Sequence, residues 1–137
     1  MLEGIDPLLT GELLWHLDAM GHSDAVVIAD AHFPAASLST RLIDLPGVGT
    51  PAVLAAVRSV LPLDDAPALE LMTSADGTVL DVQRELMTAA GVDESGTRFV
   101  DRFAYYERAR GAFVIVRTGE TRVYANALLR KGVVGRA

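Results

Sequence analysis

The sequence predicts an α/β fold, a three-layer α/β/α arrangement around a mixed sheet. Three observations carry this. Short runs rich in Val, Ile and Leu alternate along the chain with segments of helical periodicity, the pattern of a sheet covered on both faces. The run from about Ala25 to Ala31 is nearly all apolar, as expected of a strand buried on both sides. The last two runs flank Thr118-Gly119-Glu120, which reads as a tight turn, so the chain closes on a hairpin and the sheet is mixed.

The elements follow in order. Leu13, Leu17 and Met20 recur at helical spacing, with Leu14 widening the stripe. Thr10 is the expected N-cap and Gly21 the expected stop. His22 then falls in the turn before the Ala25–Ala31 strand. A second strand spans Arg41 to Leu45, followed by the loop from Pro46 to Pro51. Thr50 is expected to cap a helix that begins at Pro51, a favoured first position. Val53, Leu54, Val57, Val60 and Leu61 form its stripe, and Pro62 ends it for want of an N–H. Ala68 to Thr73 reads as a strand, Asp76-Gly77 as a turn, and Asp81 to Ala90 as a helix stopped by Gly91. Val100 to Arg110 reads as helical, Ala112 to Arg117 as a strand, and Arg122 to Leu129 as the final strand.

The 137 residues suggest one domain, 1–137, with 50% hydrophobic residues to build its core. A net charge of −6 with scattered Lys and Arg argues against nucleic acid as a partner. The absence of cysteine excludes disulfides, thiolate catalysis and Cys-type zinc sites. No stretch approaches the roughly 20 apolar residues of a membrane span. No basic segment followed by an apolar one opens the chain, so the expected location is cytoplasmic.

The densest chemistry lies between Met20 and Pro34, where two histidines and two aspartates bracket the strand. Residues two apart on a strand share a face, which would point Asp30 and His32 into one pocket. Imidazole and carboxylate move protons near neutral pH. The plainer readings are a helix-end cation for His22, a turn residue or cap for Asp30, and a loop residue for His32; His16 reads as structural or surface. His22, Asp30 and His32 would also make a two-histidine, one-carboxylate metal set, but without a recognised ligand spacing, and no metal is expected. There is no Gly-x-Ser-x-Gly elbow, and Gly47-Val48-Gly49 lacks the third glycine of a dinucleotide fingerprint. In Arg102-Phe103-Ala104-Tyr105-Tyr106-Glu107-Arg108 the aromatics are either core or, with Arg102, a grip for hydroxyls and a stacking surface for a sugar ring. Tyr124 and Asn126 would share a strand face and offer donors and acceptors suited to a neutral polyol. Periodicity leaves these alternatives open.

Several separated blocks taken together decide more. Ile5-Asp6-Pro7-Leu8-Leu9, Leu17-Asp18-Ala19-Met20-Gly21-His22-Ser23-Asp24, Asp30-Ala31-His32-Phe33-Pro34, Arg102 to Ala109, and Tyr124-Ala125-Asn126 to Gly132 follow one another in order over nearly the whole chain. This set resembles the ribose pyranase and fucose mutarotase family (RbsD/FucU). The Asp-Ala-His-Phe-Pro and Arg-Phe-x-x-Tyr-Glu-Arg blocks look like its fucose branch. The resemblance implies an isomerase needing no cofactor, built as a homo-oligomeric ring, commonly a decamer of two stacked pentamers, with sites at subunit contacts and a monosaccharide as the binding partner. It implies that His22 is the catalytic histidine, that Asp30 and Arg102 bind substrate, and that Tyr124, Ala125 and Asn126 form the Tyr-x-Asn substrate segment. Ala125 stands where the fucose branch has glycine, a change expected to crowd the sugar.

The expected reaction exchanges the α and β anomers of L-fucose or a related sugar. The ring oxygen gains a proton, the anomeric hydroxyl loses one, C1–C2 rotates, and the ring closes on the other face. His22 would be the principal acid/base group, with Asp30 orienting it or the substrate by a charge-assisted hydrogen bond and Tyr124 sharing the proton transfer. Alternatives are D-ribose pyranase-type pyranose–furanose exchange, a non-catalytic sugar-binding ring protein, and a metal-dependent isomerase using His32 and Asp30.

Overall fold

The computed structural model describes residues 1–135; residues 136 and 137, the end of the predicted single domain, lie outside the described residues. The strands are β1 (Ala25–Ala29), β2 (Leu42–Leu45), β3 (Leu69–Met72), β4 (Thr97–Val100), β5 (Val114–Thr118) and β6 (Ala127–Arg130). The helices are α1 (Gly11–Ala19), α2 (Ala35–Leu38), α3 (Thr50–Arg58), α4 (Asp81–Ala90) and α5 (Arg102–Arg110).

The strands form one sheet in the order β2-β5-β1-β6-β3-β4. β1 pairs parallel with β5, β5 with β2, and β3 with β4, while β6 is antiparallel to both β1 and β3. Five strands therefore point one way and β6 runs back between them. Period-two alternation divides the side chains into two cores. Val26 and Ile28 of β1 join Val114, Val116, Ala127 and Leu129 beneath α1, α3 and α4. Ala25, Val27 and Ala29 join Ile115 and Leu128 beneath α2 and α5. The result is the predicted α/β/α layering around a mixed sheet. No described helix is long and apolar enough to cross a membrane.

The helix ends show how the sequence punctuates the fold. Thr10 caps α1 by accepting from Leu13 N–H at 3.2 Å. Its other end is finished from a distance: Lys131 Nζ donates to the carbonyls of Leu17 and Met20, each at 2.7 Å, placing a cation on the orphan carbonyls of a helix C-terminus. α4 stops at Gly91 in the left-handed region, φ 69°, as expected of a glycine terminator.

Four expectations need correction. α3 starts at Thr50, not Pro51, and its N-cap is Gly49; Thr50 lies inside the helix with its hydroxyl buried and unpaired, so it caps nothing. Thr97–Val100 is a strand, and α5 begins only after Asp101, whose carboxylate accepts from Phe103 and Ala104 N–H. Its alternating edge-strand pattern is too short and polar to stand out. The strand expected over 122–129 begins at Ala127, since Tyr124 has φ 57°, which no strand accommodates. Finally, β5 and β6 form no hairpin, because β6 inserts between β1 and β3.

Candidate active site

The carboxyl ends of the five co-directional strands meet the chain that enters β6. At that end lies a cavity of about 260 Å³ lined by Asp30, His32, Phe33, Met72, Arg102, Tyr106, Val123, Tyr124 and Asn126. In α/β sheets this end is where ligands are commonly held. Asp30 follows β1, Met72 ends β3, Arg102 opens α5, and Tyr124 to Asn126 lead into β6. Four of the residues singled out from sequence thus converge: Asp30, Arg102, Tyr124 and Asn126. His32 joins them, though through a turn and not through a shared strand face, since β1 ends at Ala29.

Asp30 is the organising group, with 3% of its surface exposed. Its Oδ1 accepts from the N–H groups of His32 and Phe33, both at 2.9 Å, and its Oδ2 from Ala125 N–H at 3.3 Å. These three N–H donors give the buried carboxyl oxygens the partners that water would otherwise supply. Asp30 therefore ties the turn after β1 to the segment before β6, so both walls of the cavity are held by one side chain.

Asn126 completes that tie. Its Oδ1 accepts from Asp30 N–H at 2.7 Å, which leaves the Nδ2 protons as its donors. Tyr124, partly buried, lines the cavity from a left-handed backbone conformation that is costly for a non-glycine residue and persists only where its surroundings impose it. The expectation that Tyr124 and Asn126 share a strand face is wrong in mechanism, because the segment is not a strand. Ala125 is fully buried and does not line the cavity. Its methyl group therefore does not crowd the space, and its contribution is the N–H given to Asp30.

Arg102 and Tyr106 form the outer wall. Arg102 Nε donates to the Tyr106 hydroxyl at 3.0 Å, and its guanidinium lies 5.5 Å from the Tyr106 ring centre, within cation–π range. Phe33 packs edge-on against Tyr106. Of the two adjacent tyrosines only Tyr106 reaches the cavity. Tyr105 is fully buried, where desolvation and the Glu70 carboxylate push its phenol well above the usual range.

His22 is elsewhere. It precedes β1, whereas Asp30 follows it, and the strand between them spans roughly 13 Å. At the amino end of the sheet, His22 Nε2 lies 3.0 Å from Asp64 Oδ1, and the Ser23 hydroxyl donates to Asp64 Oδ2 at 2.7 Å. These two donors, Ser23 first, hold the Asp64 carboxyl below its ordinary range. The loop bearing Asp64 is pinned by backbone: Asp64 N–H donates to Arg130 O at 3.1 Å and Gly132 N–H to Pro62 O at 2.7 Å. A Cβ on Gly132 would lie 2.1 Å from Leu63 O, so only glycine permits this approach. The His22 side chain is 59% exposed. A carboxylate only accepts, so Nε2 is assigned as the donor to Asp64, which leaves Nδ1 as the ring nitrogen not engaged by that contact.

One expectation about the histidine changes. Asp30 does not touch His22; the carboxylate partner of His22 is Asp64, which carried no signal beyond an ordinary Asp-Asp loop pair. His22, Asp30 and His32 lie at opposite ends of the sheet and do not form one donor set within the chain. Met72 and Val123 were also missed, being apolar residues that line the cavity only through tertiary placement.

Comparison with known proteins adds an independent line. The sequence model of the RbsD / FucU transport protein family matches residues 3–134. The fold is similar to the fucose mutarotase of Streptococcus pneumoniae, solved in complex with L-fucose, with a TM-score of 0.90 and 34% identity, covering 98% of this chain and 100% of that one. FucU from Bifidobacterium longum gives a TM-score of 0.87 and 35% identity, covering 97% and 100%. Bacillus subtilis RbsD, complexed with D-ribose, shares the fold at a TM-score of 0.80 with 22% identity, covering 98% and 100%.

Proposed function

The chain belongs to the RbsD / FucU family, and from that premise we propose that it is a cofactor-independent mutarotase interconverting the α and β anomers of L-fucose or a closely related monosaccharide. The observation that carries this reading is the cavity at the carboxyl end of the sheet. It combines hydroxyl-binding groups (Asp30, Arg102, Tyr124, Asn126) with an aromatic wall from Phe33 and Tyr106. Its volume of about 260 Å³ lies just under the ~300–1,000 Å³ of drug-sized pockets, a suitable size for one sugar ring. The 34% identity to a fucose mutarotase solved with L-fucose supports the choice of sugar.

In this reading Asn126 Nδ2 and the Arg102 guanidinium donate to sugar hydroxyls, Tyr106 and Phe33 pack against the ring, and Asp30 fixes the walls while accepting from a hydroxyl. His22 moves the proton between the ring oxygen and the anomeric hydroxyl through Nδ1. Asp64, bonded to Nε2–H, orients the ring and stabilises its protonated form. Tyr124 shares the proton transfer. General acid–base catalysis of this kind contributes ~10²–10⁴-fold.

Because His22 and the cavity occupy opposite ends of one sheet, the reading requires two copies: the amino end of one chain closes the cavity of its neighbour. Phe103 and Val123, with 72% and 56% of their surfaces exposed beside the cavity, are suited to such a contact. A closed ring repeats it once per subunit, and a decamer is the assembly we propose. Saturation-transfer NMR of anomer exchange tests the activity across L-fucose, D-ribose and D-galactose. Acceleration greatest for L-fucose and insensitive to chelator supports it; exchange at the buffer rate for every sugar contradicts it.

A further inference from the structure

Gln83 lies outside the cavity, in the first turn of α4, and is fully buried. A buried amide must satisfy both of its ends, and this one does so across three separate segments. Its Oε1 accepts from Leu80 N–H at 3.1 Å, closing the start of its own helix. Its Nε2 donates to Met72 O at 2.7 Å and to Tyr124 O at 3.3 Å. Met72 and Tyr124 are both cavity residues. Among the described residues Gln83 is the one side chain that reaches the Tyr124 carbonyl, while Asp30 holds the other side of the same peptide unit through Ala125 N–H, and Tyr124 is the residue held at φ 57°.

We propose that Gln83 is a positioning residue for sugar binding, holding Tyr124 in its left-handed conformation and fixing the spacing between the Met72 and Tyr124 walls. The physical case is one of alternatives. Without the Nε2 donor, the Tyr124 carbonyl has no internal partner, and the segment from 121 to 126 gains by relaxing out of a conformation that L-residues disfavour. α4 adds a second hold on the same segment from the surface, where Glu85 pairs with Arg122. That pair is exposed and contributes little, whereas the buried amide has no water to replace it. The His22–Asp64 pair is untouched, being at the other end of the sheet. Loss of the amide should therefore weaken sugar binding first, with any slowing of proton transfer arising from the displaced Tyr124.

The inference rests on the cavity being the sugar site, and the test separates the two. Gln83→Glu keeps the length and the acceptor toward Leu80 N–H but loses the amide donor; Gln83→Met removes both. For each folded variant, anomer-exchange kinetics should show KM for L-fucose raised at least ~10-fold, whatever fall in kcat accompanies the displaced Tyr124. Partial unfolding would instead lower apparent kcat and leave KM unchanged. Hydrogen exchange of amides 121–126, measured without sugar, should speed at least ~10-fold. In the wild-type protein both Gln83 Nε2 protons should be protected. Wild-type KM and wild-type protection in a folded variant, or a freely exchanging Gln83 amide in the wild type, would overturn the proposal. Wild-type protein that exchanges no sugar would sink the mutarotase reading, while the hydrogen-exchange arm would still decide whether Gln83 holds the Tyr124 segment.

Discussion

His22 and Asp64 are partners, Nε2 to Oδ1 at 3.0 Å, on the amino side of the sheet, while Asp30 anchors the cavity on the carboxyl side. The pairing engages Nε2 and leaves Nδ1 for the acid–base role proposed for His22.

Replacing His22 with Gln should cut anomer exchange by ~10²-fold or more, the usual range for losing a general acid–base group, with the circular dichroism spectrum unchanged. Asp64→Asn should cost less, since it retains an oxygen near Nε2 and removes only the charge. Full exchange activity in the His22→Gln protein would move the proton carrier to another residue.

The Asp64 carboxyl lies below its ordinary range because Ser23 and His22 donate to it. Ser23→Ala should therefore move its titration upward, read by carboxyl ¹³C NMR. The sign for stability follows: a depressed carboxyl pKa favours the folded state above the unfolded value, and that contribution fades as pH falls through the folded value. An unchanged Asp64 titration in Ser23→Ala would mean that the hydroxyl does not reach it in solution.

Asp30→Ala should lower stability as well as sugar binding, because it strands the N–H groups of His32, Phe33 and Ala125. Each buried unsatisfied donor costs about 1–3 kcal/mol, so urea denaturation should show a clear drop in midpoint. A variant as stable as the parent would reduce Asp30 to a surface ligand.

Much of this was legible in the chain. The runs at 25–31 and 112–117 and the helix at 81–90 stood out because each is strongly apolar or strongly periodic and ends in a local signal such as Gly91. The cavity residues were legible as chemistry, in blocks separated along the chain. What was not legible depends on long-range pairing. β6 inserts between β1 and β3, which no local turn could reveal, and this insertion replaced the expected hairpin. Tyr124 takes a left-handed conformation because tertiary contacts impose it, against its own preference. Asp64 reaches His22 only because Gly132 lets two backbones approach closely.

The division of the machinery between two ends of the sheet is tested most directly by mixing. His22→Gln and Tyr124→Phe proteins, each expected to be nearly inactive alone, are combined under conditions where subunits exchange, and L-fucose anomer exchange is measured. A shared site predicts recovery toward about a quarter of wild-type activity, since random assembly in a closed ring pairs an intact His22 with an intact neighbouring cavity at about that frequency. No recovery despite demonstrated subunit exchange, or full activity in a monomeric wild-type protein, would contradict it.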